Sequence, residues 1–447
     1  MNTQTAPPLL SGPELGERLR ALAGADSVRS AAKDDAVSGV SAQWVVEPRS
    51  EGGVASVLRF ANDAGLSVIP RGGGSKLCWG NPPERVGVLL STLGLNRVVE
   101  HTWADMTVTV QAGCTVAELQ RALAKHRQRL AVDPLSPERA TVGGILSSND
   151  TGALRLSYGG LRDLVIGMTL CLADGTIAKS GGKVVKNVAG YDLPKLATGA
   201  LGTLGVITQA IFRVHPLPAG TRTLRLQPAG LHGLQRAILD LLNSDLPCAQ
   251  IQACLANDEA PVLYVGLEGT EAGLAAQETA IRERAQTLPV VPAASDVWLA
   301  PRQELWTLSE GAHAAVAKLS VLPSQLEDVG AAVERLAHAR QAQWRAVLHA
   351  NGIGWVRLAA AEAANHVALC RELRTAIESL GGSMTIARLS PSSSAASAAD
   401  GSGGEDAAET AIDFWGAPGD ALPLMAAVKR QFDPQRTLNP GRFVGGI

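Results

Sequence analysis

The stretch VIPRGGGSKLCWG, residues 68–80, places three consecutive glycines between an arginine and a lysine. Glycines allow a backbone to approach a ligand closely, and successive N–H groups can surround an anion. Arg71 and Lys76 would add compensating positive charge. An ordinary glycine-rich loop explains the same residues equally well, so this stretch alone leaves both interpretations open.

Three further segments are dense in glycine. Residues 133–152, DPLSPERATVGGILSSNDTG, combine a glycine pair with small polar residues that could wrap a flat polar ligand. A surface loop followed by a buried helix of small residues is the alternative. YGGLRD (158–163) and ATGALGTLGVIT (197–208) add two more glycine-rich turns. Average glycine usage is only about 7%, so the four turns together favour a large extended ligand held by backbone groups.

Several other chemistries lack their motifs. The chain has no GxxxxGK[ST] phosphate loop and no GxSxG nucleophile elbow, and GALGTLG has the wrong spacing for a dinucleotide fingerprint. The eight histidines include no HxH or HExxH pair, so we expect no metal site. The six cysteines include no CxxC pair, which predicts free thiols rather than disulfides or iron–sulfur ligands.

Alternating strands and helices must position the glycine-rich turns. The strand-like segment LSVIP, residues 66–70, ends directly before RGGGSK. MTVTVQAG, residues 106–113, alternates apolar and polar side chains as a half-buried strand does. Thr115 and Glu118 predict a capping box at the start of the next helix. Asp174-Gly175 predicts a hairpin turn.

The pattern changes near residue 218, after which helical and strand-like segments predict a separate α+β domain. A small, polar, low-complexity run follows, and the C-terminal tail is again patterned as ordered structure. The predicted divisions are a helical segment at 1–37, a main domain at 38–218, the α+β domain at 219–390, a low-complexity loop at 391–410 and a C-terminal segment at 411–447.

Length and composition predict a soluble globular protein. The chain has 447 residues, 46% of them hydrophobic, a mean hydropathy of +0.10 and a net charge of −2. No basic excess indicates nucleic acid as a partner. We expect neither a secretory signal nor a membrane span, because a basic lead with an apolar run and long uncharged apolar stretches are both missing. These features favour a cytoplasmic location.

The order of the motifs resembles the FAD-binding domain of the vanillyl-alcohol oxidase and p-cresol methylhydroxylase (PCMH) superfamily. The motifs are PRGGGS, AGCTVAEL, ATVGG, GGLRD, GTLGVIT and a terminal DPQRTLNPGR. RGGGSKLCWG and GGKVVKNVAGYDLPKL are most similar to the smaller FAD-binding subunit of bacterial glycolate oxidases. The resemblance implies an α+β fold, with a PCMH-type FAD-binding domain of two subdomains and a separate α+β cap over residues 219–390.

The resemblance also implies which residues bind FAD. Expected around the pyrophosphate are Arg71, Gly72, Gly73, Gly74, Ser75 and Lys76. Expected along the ribityl chain and ring are Pro134, Ser136, Thr141, Gly143, Gly144, Asn149 and Gly152, with Tyr158 and Arg162 nearby. Expected on the adenosine or pyrophosphate side are Gly205, Val206 and Ile207. Asn439 would return the C-terminus to the flavin ring.

Two departures from the family pattern refine these expectations. Members that attach FAD covalently through this loop place a histidine after the glycines, whereas this chain has Ser75. We therefore expect non-covalent FAD. Related 2-hydroxy-acid dehydrogenases use a histidine-rich, metal-assisted site, and no clustered histidines occur here. The substrate acid–base site therefore looks incomplete, and the catalytic residues are left unassigned.

The incomplete site favours a subunit of a multi-component 2-hydroxy-acid oxidase. By the resemblance, a larger FAD-containing glycolate oxidase subunit would oxidise the substrate and an iron–sulfur subunit would pass electrons onward. This chain would store or relay electrons, and its partners could allow peripheral contact with a membrane. The alternatives are a self-sufficient FAD-dependent dehydrogenase for D-lactate or another 2-hydroxy acid, and a flavin-free structural subunit.

Overall fold

The structure is a computed structural model that describes residues 12–184, 190–286, 288–308, 313–390 and 412–447. The predicted low-complexity loop at 391–410 lies outside these residues. Of the predicted N-terminal helical segment, helix α1 (Gly12–Ala23) is described, and it buries Leu15 and Leu19.

The first sheet has four strands, which are β1 (Val28–Ser30), β2 (Ala42–Val46), β3 (Val68–Arg71) and β4 (Val86–Ser91). Their order is β1-β2-β4-β3, in which β2, β4 and β3 are parallel. Helix α2 (Glu51–Asp63) connects β2 to β3. Ser50 caps its N-terminus by accepting a hydrogen bond from Gly53 N at 3.1 Å. The carboxyl ends of the parallel strands therefore meet at one edge, where β3 enters the glycine-rich loop.

The second sheet has five antiparallel strands in the order β5-β6-β10-β8-β9. They are β5 (Val98–Thr102), β6 (Thr107–Gln111), β8 (Val165–Cys171), β9 (Ile177–Gly181) and β10 (Val206–Arg213), and a short pair β7 (Gln128–Arg129) and β11 (His215–Pro216) lies beside it. The predicted hairpin turn at Asp174-Gly175 is confirmed between β8 and β9, since Gly175 has φ +81° and Thr176 N donates to Asp174 Oδ1.

Helices fill the connections within this second unit. They are α3 (Val116–Ala124), α4 (Val142–Ser148), α5 (Arg155–Tyr158), α6 (Leu161–Leu164) and α7 (Leu193–Ala197). The predicted capping box of α3 is confirmed, because Thr115 Oγ1 accepts from Glu118 N and Thr115 N donates to Glu118 Oε2, both at 3.2 Å. One expectation is wrong. Strand β6 is buried on both faces rather than half-buried, with Thr107 and Thr109 only 3% and 6% exposed.

The third sheet contains eight antiparallel strands and forms the cap. The strands are β12 (Gly220–Leu226), β13 (Cys248–Ala256), β14 (Val262–Gly269), β15 (Val290–Pro292), β16 (His313–Ser320), β17 (Gln343–His349), β18 (Ile353–Ala360) and β19 (Ser383–Leu389). Their order is β15-β12-β14-β13-β17-β18-β16-β19. The α+β expectation for this region is confirmed.

The two faces of the cap sheet have different neighbours. Long helices cover one face and build the largest apolar core; they are α8 (Gly230–Leu242), α9 (Glu271–Ala285), α11 (Leu326–Ala339) and α12 (Ala363–Ser379). Strand residues such as Ala317, Leu348 and Val356 point to these helices. Because side chains alternate along a strand, Lys318, His349 and Trp355 lie on the opposite face. We call this the inner face; the short helix α10 (Ala300–Leu305) contacts β17 and β18.

The C-terminal segment returns to the first sheet. Helix α13 (Leu422–Phe432) is followed by a turn in which Leu438 forms a parallel bridge with Val68 of β3. Leu438 is fully buried in the core of the first sheet, together with residues of β8 and β10 from the second sheet. The last residues of the chain therefore lie beside the glycine-rich loop. No helix in the described ranges is both long and apolar enough to cross a membrane.

Candidate functional site

The glycine-rich loop after β3 forms one wall of a cleft. A Cβ on Gly72 would lie 2.0 Å from Thr141 Oγ1, and one on Gly73 would lie 1.8 Å from the carbonyl oxygen of Arg139. Gly74 has φ +71°, a conformation that other residues rarely adopt. The loop therefore needs glycine for space at two positions and for backbone conformation at the third.

The loop presents unused backbone donors. In the described part of the chain, the N–H groups of Gly73, Gly74, Ser75 and Lys76 donate to no acceptor. Four successive amides on a strongly curved loop form an anion-binding concavity. This is the arrangement that the sequence predicted for a pyrophosphate.

The cations that flank the loop are already paired with carboxylates. Arg71 contacts Asp35 at 2.9 Å, and Asp35 also accepts from Arg29. The hydrogen bond from Arg29 holds the pKa of Asp35 far below its usual range. Lys76 pairs with Asp150 at 2.9 Å, and both side chains are buried. The backbone amides, rather than free cations, are therefore the main donors that this wall offers to an anion.

The second wall is the start of helix α4. Thr141 caps the helix by accepting a hydrogen bond from Gly144 N at 3.2 Å. Gly143 is required because a Cβ there would lie 2.9 Å from the side chain of Ala112. Ser147 and Ser148 follow on the side that lines the cleft. The small residues let this helix approach both β6 and the glycine-rich loop.

The third wall combines the start of β10 with the C-terminal segment. Leu201, Gly202 and Gly205 line the cleft, and Asn439 Nδ2 donates to the carbonyl oxygen of Leu201 at 2.5 Å. Arg442 is 3% exposed, and burial lowers its pKa to about 10. Its Nη2 donates to the carbonyl oxygens of Leu77 and Trp79, both at 2.6 Å. The C-terminus thereby fixes the far end of the glycine-rich loop.

The cleft is open to solvent and is lined by residues of all three walls. The structure brings together twelve of the predicted FAD residues along it: Arg71, Gly72, Gly73, Gly74, Ser75, Lys76, Thr141, Gly143, Gly144, Gly205, Val206 and Ile207. The glycine contacts and the unused amides fit the phosphates of FAD, and these residues would hold it.

The other predicted residues lie behind or beside the cleft. Pro134 is buried and Ser136 occupies a turn with φ +54°. Asn439 supports Leu201 from behind, with φ +48°. Arg162 is exposed and donates to the carbonyl oxygen of Thr198 at 2.9 Å. Their contact with FAD stays a prediction.

Tyr158 faces the cap. Its hydroxyl donates to Glu268 Oε2 at 2.5 Å, and Arg129 lies 4.9 Å from the centre of its ring. Arg129 also pairs with Glu268 at 2.5 Å. Tyr158 therefore joins the FAD-binding part to strand β14, and a direct contact with FAD is likewise untested.

Asn149 and Gly152 lie where the cap meets helix α4. The carbonyl oxygen of Asn149 accepts from Lys318 Nζ at 3.3 Å. Gly152 leaves room for the buried Arg302, since a Cβ would lie 2.2 Å from the Arg302 guanidinium. Arg302 pairs with Asp133 at 3.3 Å, and Asp133 accepts from Gly152 N. These two predicted residues therefore approach the inner face of the cap.

Sequence reasoning missed a group of residues on that inner face. Trp79, Trp306 and Trp355 form an aromatic cluster, with ring centroids 5.2 to 6.1 Å apart. Lys318 lies within 5.7 Å of the Trp79 and Trp355 ring centroids. Trp79 also lines the cleft, so it connects the two regions. The position of Trp79, three residues after Lys76, is the signal by which the sequence could have indicated it.

His349 is the second missed feature. It is fully buried, and neither ring nitrogen has a partner among the described residues. Burial, reinforced by Arg302 and Lys318, holds its pKa well below the usual value, so the imidazole is neutral. Over the described ranges, no group of three or more His, Cys, Asp or Glu side chains is placed to hold a metal ion.

Comparison with known proteins identifies the cleft-forming region. Residues 42–181 match the FAD binding domain family, and residues 416–443 match the C-terminal domain of FAD linked oxidases. Both matches contain residues that line the cleft or support it. The two matched regions contact each other at β3, where Val68 forms a bridge with Leu438.

Curated relatives include a glycolate oxidase subunit and two D-lactate dehydrogenases. The chain is 32% identical over 237 residues to glycolate oxidase subunit GlcD of Bacillus subtilis, covering 53% of this chain and 50% of that one. It is 34% identical to a D-lactate dehydrogenase of Archaeoglobus fulgidus over 46% of each. The chain thus spans about half the length of these two relatives. A mitochondrial D-lactate dehydrogenase [cytochrome] of Arabidopsis thaliana is 25% identical, covering 90% of this chain and 73% of that one.

Solved structures share the fold over nearly the whole chain. An alkyldihydroxyacetonephosphate synthase superimposes with a TM-score of 0.73 at 18% identity, covering 99% of this chain and 88% of that one. Substrate-bound p-cresol methylhydroxylase gives 0.72 at 16% identity, covering 97% of each chain. At these identities the likeness concerns the fold alone. The chain therefore has the fold of p-cresol methylhydroxylase, and the match of residues 42–181 to the FAD binding domain family supports FAD as its cofactor.

Proposed function

We propose that this chain is the FAD-binding subunit of a multi-subunit oxidase or dehydrogenase that converts glycolate, a 2-hydroxy acid, to glyoxylate. The observation that carries the proposal is the cleft lined by the unpaired amides of residues 73–76. Trp79 connects this cleft to the inner face of the cap, which carries the polar side chains of Lys318 and His349. The relative named as a glycolate oxidase subunit supports both the substrate class and the subunit organisation.

The residues of the cleft have a defined task in this proposal. The amides of Gly73 to Lys76 bind the phosphates, while Thr141 and Gly143 shape the opposite wall. When bound, FAD supplies the acceptor for the two electrons released by the hydroxy acid. Arg442 and Asn439 hold the walls together from the C-terminal side.

The cap would contribute the substrate side of the site. Neither ring nitrogen of the buried, neutral His349 has a partner among the described residues, so the imidazole offers a substrate one hydrogen-bond donor and one acceptor. This observation favours a second candidate function, a self-sufficient dehydrogenase for D-lactate or another 2-hydroxy acid. The relatives named D-lactate dehydrogenase support the same alternative.

One experiment separates the two functions. The purified full chain, loaded with FAD, is mixed without oxygen with glycolate, D-lactate and other 2-hydroxy acids, and the visible flavin absorbance is followed. Rapid bleaching by one acid supports the self-sufficient enzyme. Bleaching only after the partner subunits are added supports the subunit role. A colourless protein that takes up no FAD contradicts both.

The partners are part of the proposal. A larger FAD-containing subunit and an iron–sulfur subunit would complete an electron-relay complex in the cytoplasm, with membrane contact arising through the partners. Purification of the chain from its native cells under mild conditions, followed by mass spectrometry and iron analysis, tests this. Recovery of the chain alone, with full activity towards glycolate, would exclude the complex.

A further inference from the structure

The inner face of the cap holds an ammonium group inside an aromatic box. Lys318 Nζ lies 5.7 Å from the ring centroid of Trp79 and 5.6 Å from that of Trp355. Trp306 stacks on Trp79 at 6.1 Å and meets Trp355 edge-on at 5.6 Å. Trp79 and Trp355 are 7% and 0% exposed, whereas Lys318 retains some accessible surface. Lys318 therefore borders two buried rings while the residue as a whole is only partly buried.

This positive charge is uncompensated. Across the described ranges, no carboxylate lies within ion-pair distance of Lys318, and its hydrogen-bond acceptor is the carbonyl oxygen of Asn149 at 3.3 Å. The charged groups that face it are Arg155, Arg302, Lys76 and Asp150. Asp150 is already paired with Lys76 at 2.9 Å. The surroundings therefore have a net positive potential.

The aromatic cluster also contains unused donors. The Nε1–H groups of Trp79, Trp306 and Trp355 are buried, and none has an acceptor in the described part of the chain. Leaving a buried donor unpaired costs about 1–3 kcal/mol. Three unpaired donors in the tryptophan cluster that borders Lys318 would be satisfied by a ligand rich in acceptors.

The sequence sets this lysine apart. Lys318 is the only lysine between residues 219 and 390, where the other permanently charged bases are arginines. It is placed in the interior of strand β16, between the apolar residues Ala317 and Leu319. Since lysines are rarely buried without a partner, a role in binding explains its position better than surface solubility does.

We propose that Lys318 and the indole N–H groups of Trp79, Trp306 and Trp355 bind a small organic monocarboxylate. One uncompensated charge suits a monoanion, and the indole walls suit an organic ion rather than a phosphate. The surrounding cations disfavour a divalent metal. The site stands on these contacts alone. Only its assignment to the carboxylate of a 2-hydroxy acid substrate rests on the proposed function.

Tryptophan fluorescence tests the site without turnover. The full chain, with FAD bound, is titrated with acetate, propionate and chloride at constant ionic strength; neither carboxylate has a hydroxyl group to oxidise. We expect a saturable change with both carboxylates and none with chloride. Lys318→Met should weaken binding roughly tenfold or more, as expected for loss of a charge-assisted hydrogen bond. Lys318→Arg, which keeps the charge, should retain part of it.

Matched variants guard against unspecific effects. Lys125→Met, at an exposed lysine that follows α3, should bind as the wild type does. Trp355→Phe keeps a ring while removing one N–H group, so it should weaken binding less than Lys318→Met. Equal binding by Lys318→Met and wild type would overturn the proposal, and so would saturation by chloride, which would indicate an adventitious ion only.

Chemical labelling gives a second readout. An amine-acylating reagent should modify Lys318 in the ligand-free chain, and acetate should protect it while leaving Lys125 equally reactive. Peptide mapping is unambiguous because the cap contains no other lysine. Protection without flavin bleaching by any 2-hydroxy acid, even after the partner subunits are added, would retain the site and reject the proposed function. Bleaching that does not depend on Lys318 would do the opposite.

Discussion

Gly72 and Gly73 are required because neighbouring atoms leave no space for a side chain, rather than for backbone flexibility. Each places its Cα where a side chain would overlap a neighbour, Thr141 Oγ1 in one case and the carbonyl oxygen of Arg139 in the other. The second neighbour is backbone and cannot rotate away. The close contact between the loop and the residues before α4 is therefore what gives the amides of residues 73–76 their curvature.

Gly73→Ala should separate the loop from Arg139. Overpacking of this kind typically costs about 1–3 kcal/mol, so we expect FAD affinity to fall by roughly ten- to a hundredfold. Gly52→Ala, where a Cβ meets nothing within 4 Å, is the matched control. Titration of the flavin-free chain with FAD provides the dissociation constants. Unchanged affinity in Gly73→Ala would show that the loop amides do not hold the cofactor.

Ser75 predicts how the flavin is held. A serine hydroxyl at this position cannot form the histidyl–flavin bond of covalent family members, so FAD should be released when the protein is denatured. Acid precipitation followed by absorbance of the supernatant measures this. We expect all flavin in the supernatant for the wild type, and yellow pellets would contradict the prediction.

Lys318 predicts an alkaline dependence of stability. Burial lowers its pKa from 10.5 to about 8, with Asp150 partly opposing and Arg155, Arg302 and Lys76 adding to the shift. Below pH 8 the lysine is charged in the folded and the unfolded chain, so the folded state carries the full desolvation cost. Between pH 8 and 10.5 the unfolded chain binds more protons, so stability rises with pH.

Lys318→Met removes this titration. The variant should be more stable than the wild type at pH 7, by up to about 3 kcal/mol, and the difference should shrink as the pH approaches 10.5. Urea unfolding in a buffer free of carboxylates gives the free energies of unfolding at each pH. A pH-independent difference between the two proteins would show that Lys318 does not titrate in this way.

At the scale of elements, the turn after α13 fixes the C-terminal segment. Asp433 is fully buried and accepts hydrogen bonds from Lys429 Nζ at 2.6 Å and from the N–H groups of Thr437 and Leu438 at 2.9 and 2.7 Å. Lys429 is buried as well and donates to the carbonyl oxygen of Leu438. This arrangement places the following residues against β3.

Asp433→Ala should leave Lys429 as a buried, unpaired charge. Breaking such a pair costs about 3–5 kcal/mol, and we expect a loss of unfolding free energy in that range. Because Asn439 and Arg442 follow directly, FAD binding should weaken too. Asp420→Ala, at an exposed position, is the control and should change neither quantity. Wild-type stability in Asp433→Ala would refute this account of the C-terminal segment.

Local elements could be predicted from the sequence because their signals are local. The Thr115–Glu118 capping box and the Asp174-Gly175 turn depend on residues at most three positions apart. The burial of Thr109 could not be predicted, since the alternation of β6 does not reveal what covers its second face. The order of the cap strands, such as β13 beside β17, likewise depends on contacts between distant residues.

The same reason explains which parts of the site were predictable. The three glycines and Thr141 belong to motifs that a family resemblance carries over position by position. The position of Lys318 at the site could not be predicted, because it depends on a contact with Asn149, which lies 169 residues earlier in the chain. His349 and Arg302 are likewise isolated in the sequence. Their interpretation needs the inner face of the cap to be assembled.

For the whole molecule, the cap and the FAD-binding part are joined by polar contacts at several points. Tyr158 donates to Glu268, and Ser157 Oγ donates to the carbonyl oxygen of Cys248 at 2.9 Å. Arg302 pairs with Asp133 beneath α10. These contacts hold the cap against the FAD-binding part of the chain.

A double-mutant cycle measures one of these contacts. Tyr158→Phe and Glu268→Gln, alone and together, should give a coupling free energy of about 1 kcal/mol in urea unfolding. Both single variants should also increase hydrogen exchange in β14. Tyr191→Phe, at a tyrosine that is 90% exposed, is the control. Strictly additive effects would show that the hydroxyl contact does not couple the two parts.

The loop that begins at Gly72 ends at Trp79, so one short segment borders both the FAD cleft and the box around Lys318. Arg442 fixes its far end through the carbonyl oxygens of Leu77 and Trp79. When one ligand has ordered this segment, binding of the second ligand causes a smaller further loss of its conformational entropy. Cooperativity between the sites follows, and by thermodynamic reciprocity a carboxylate that tightens FAD binding must itself be bound more tightly, by the same factor, when FAD is present.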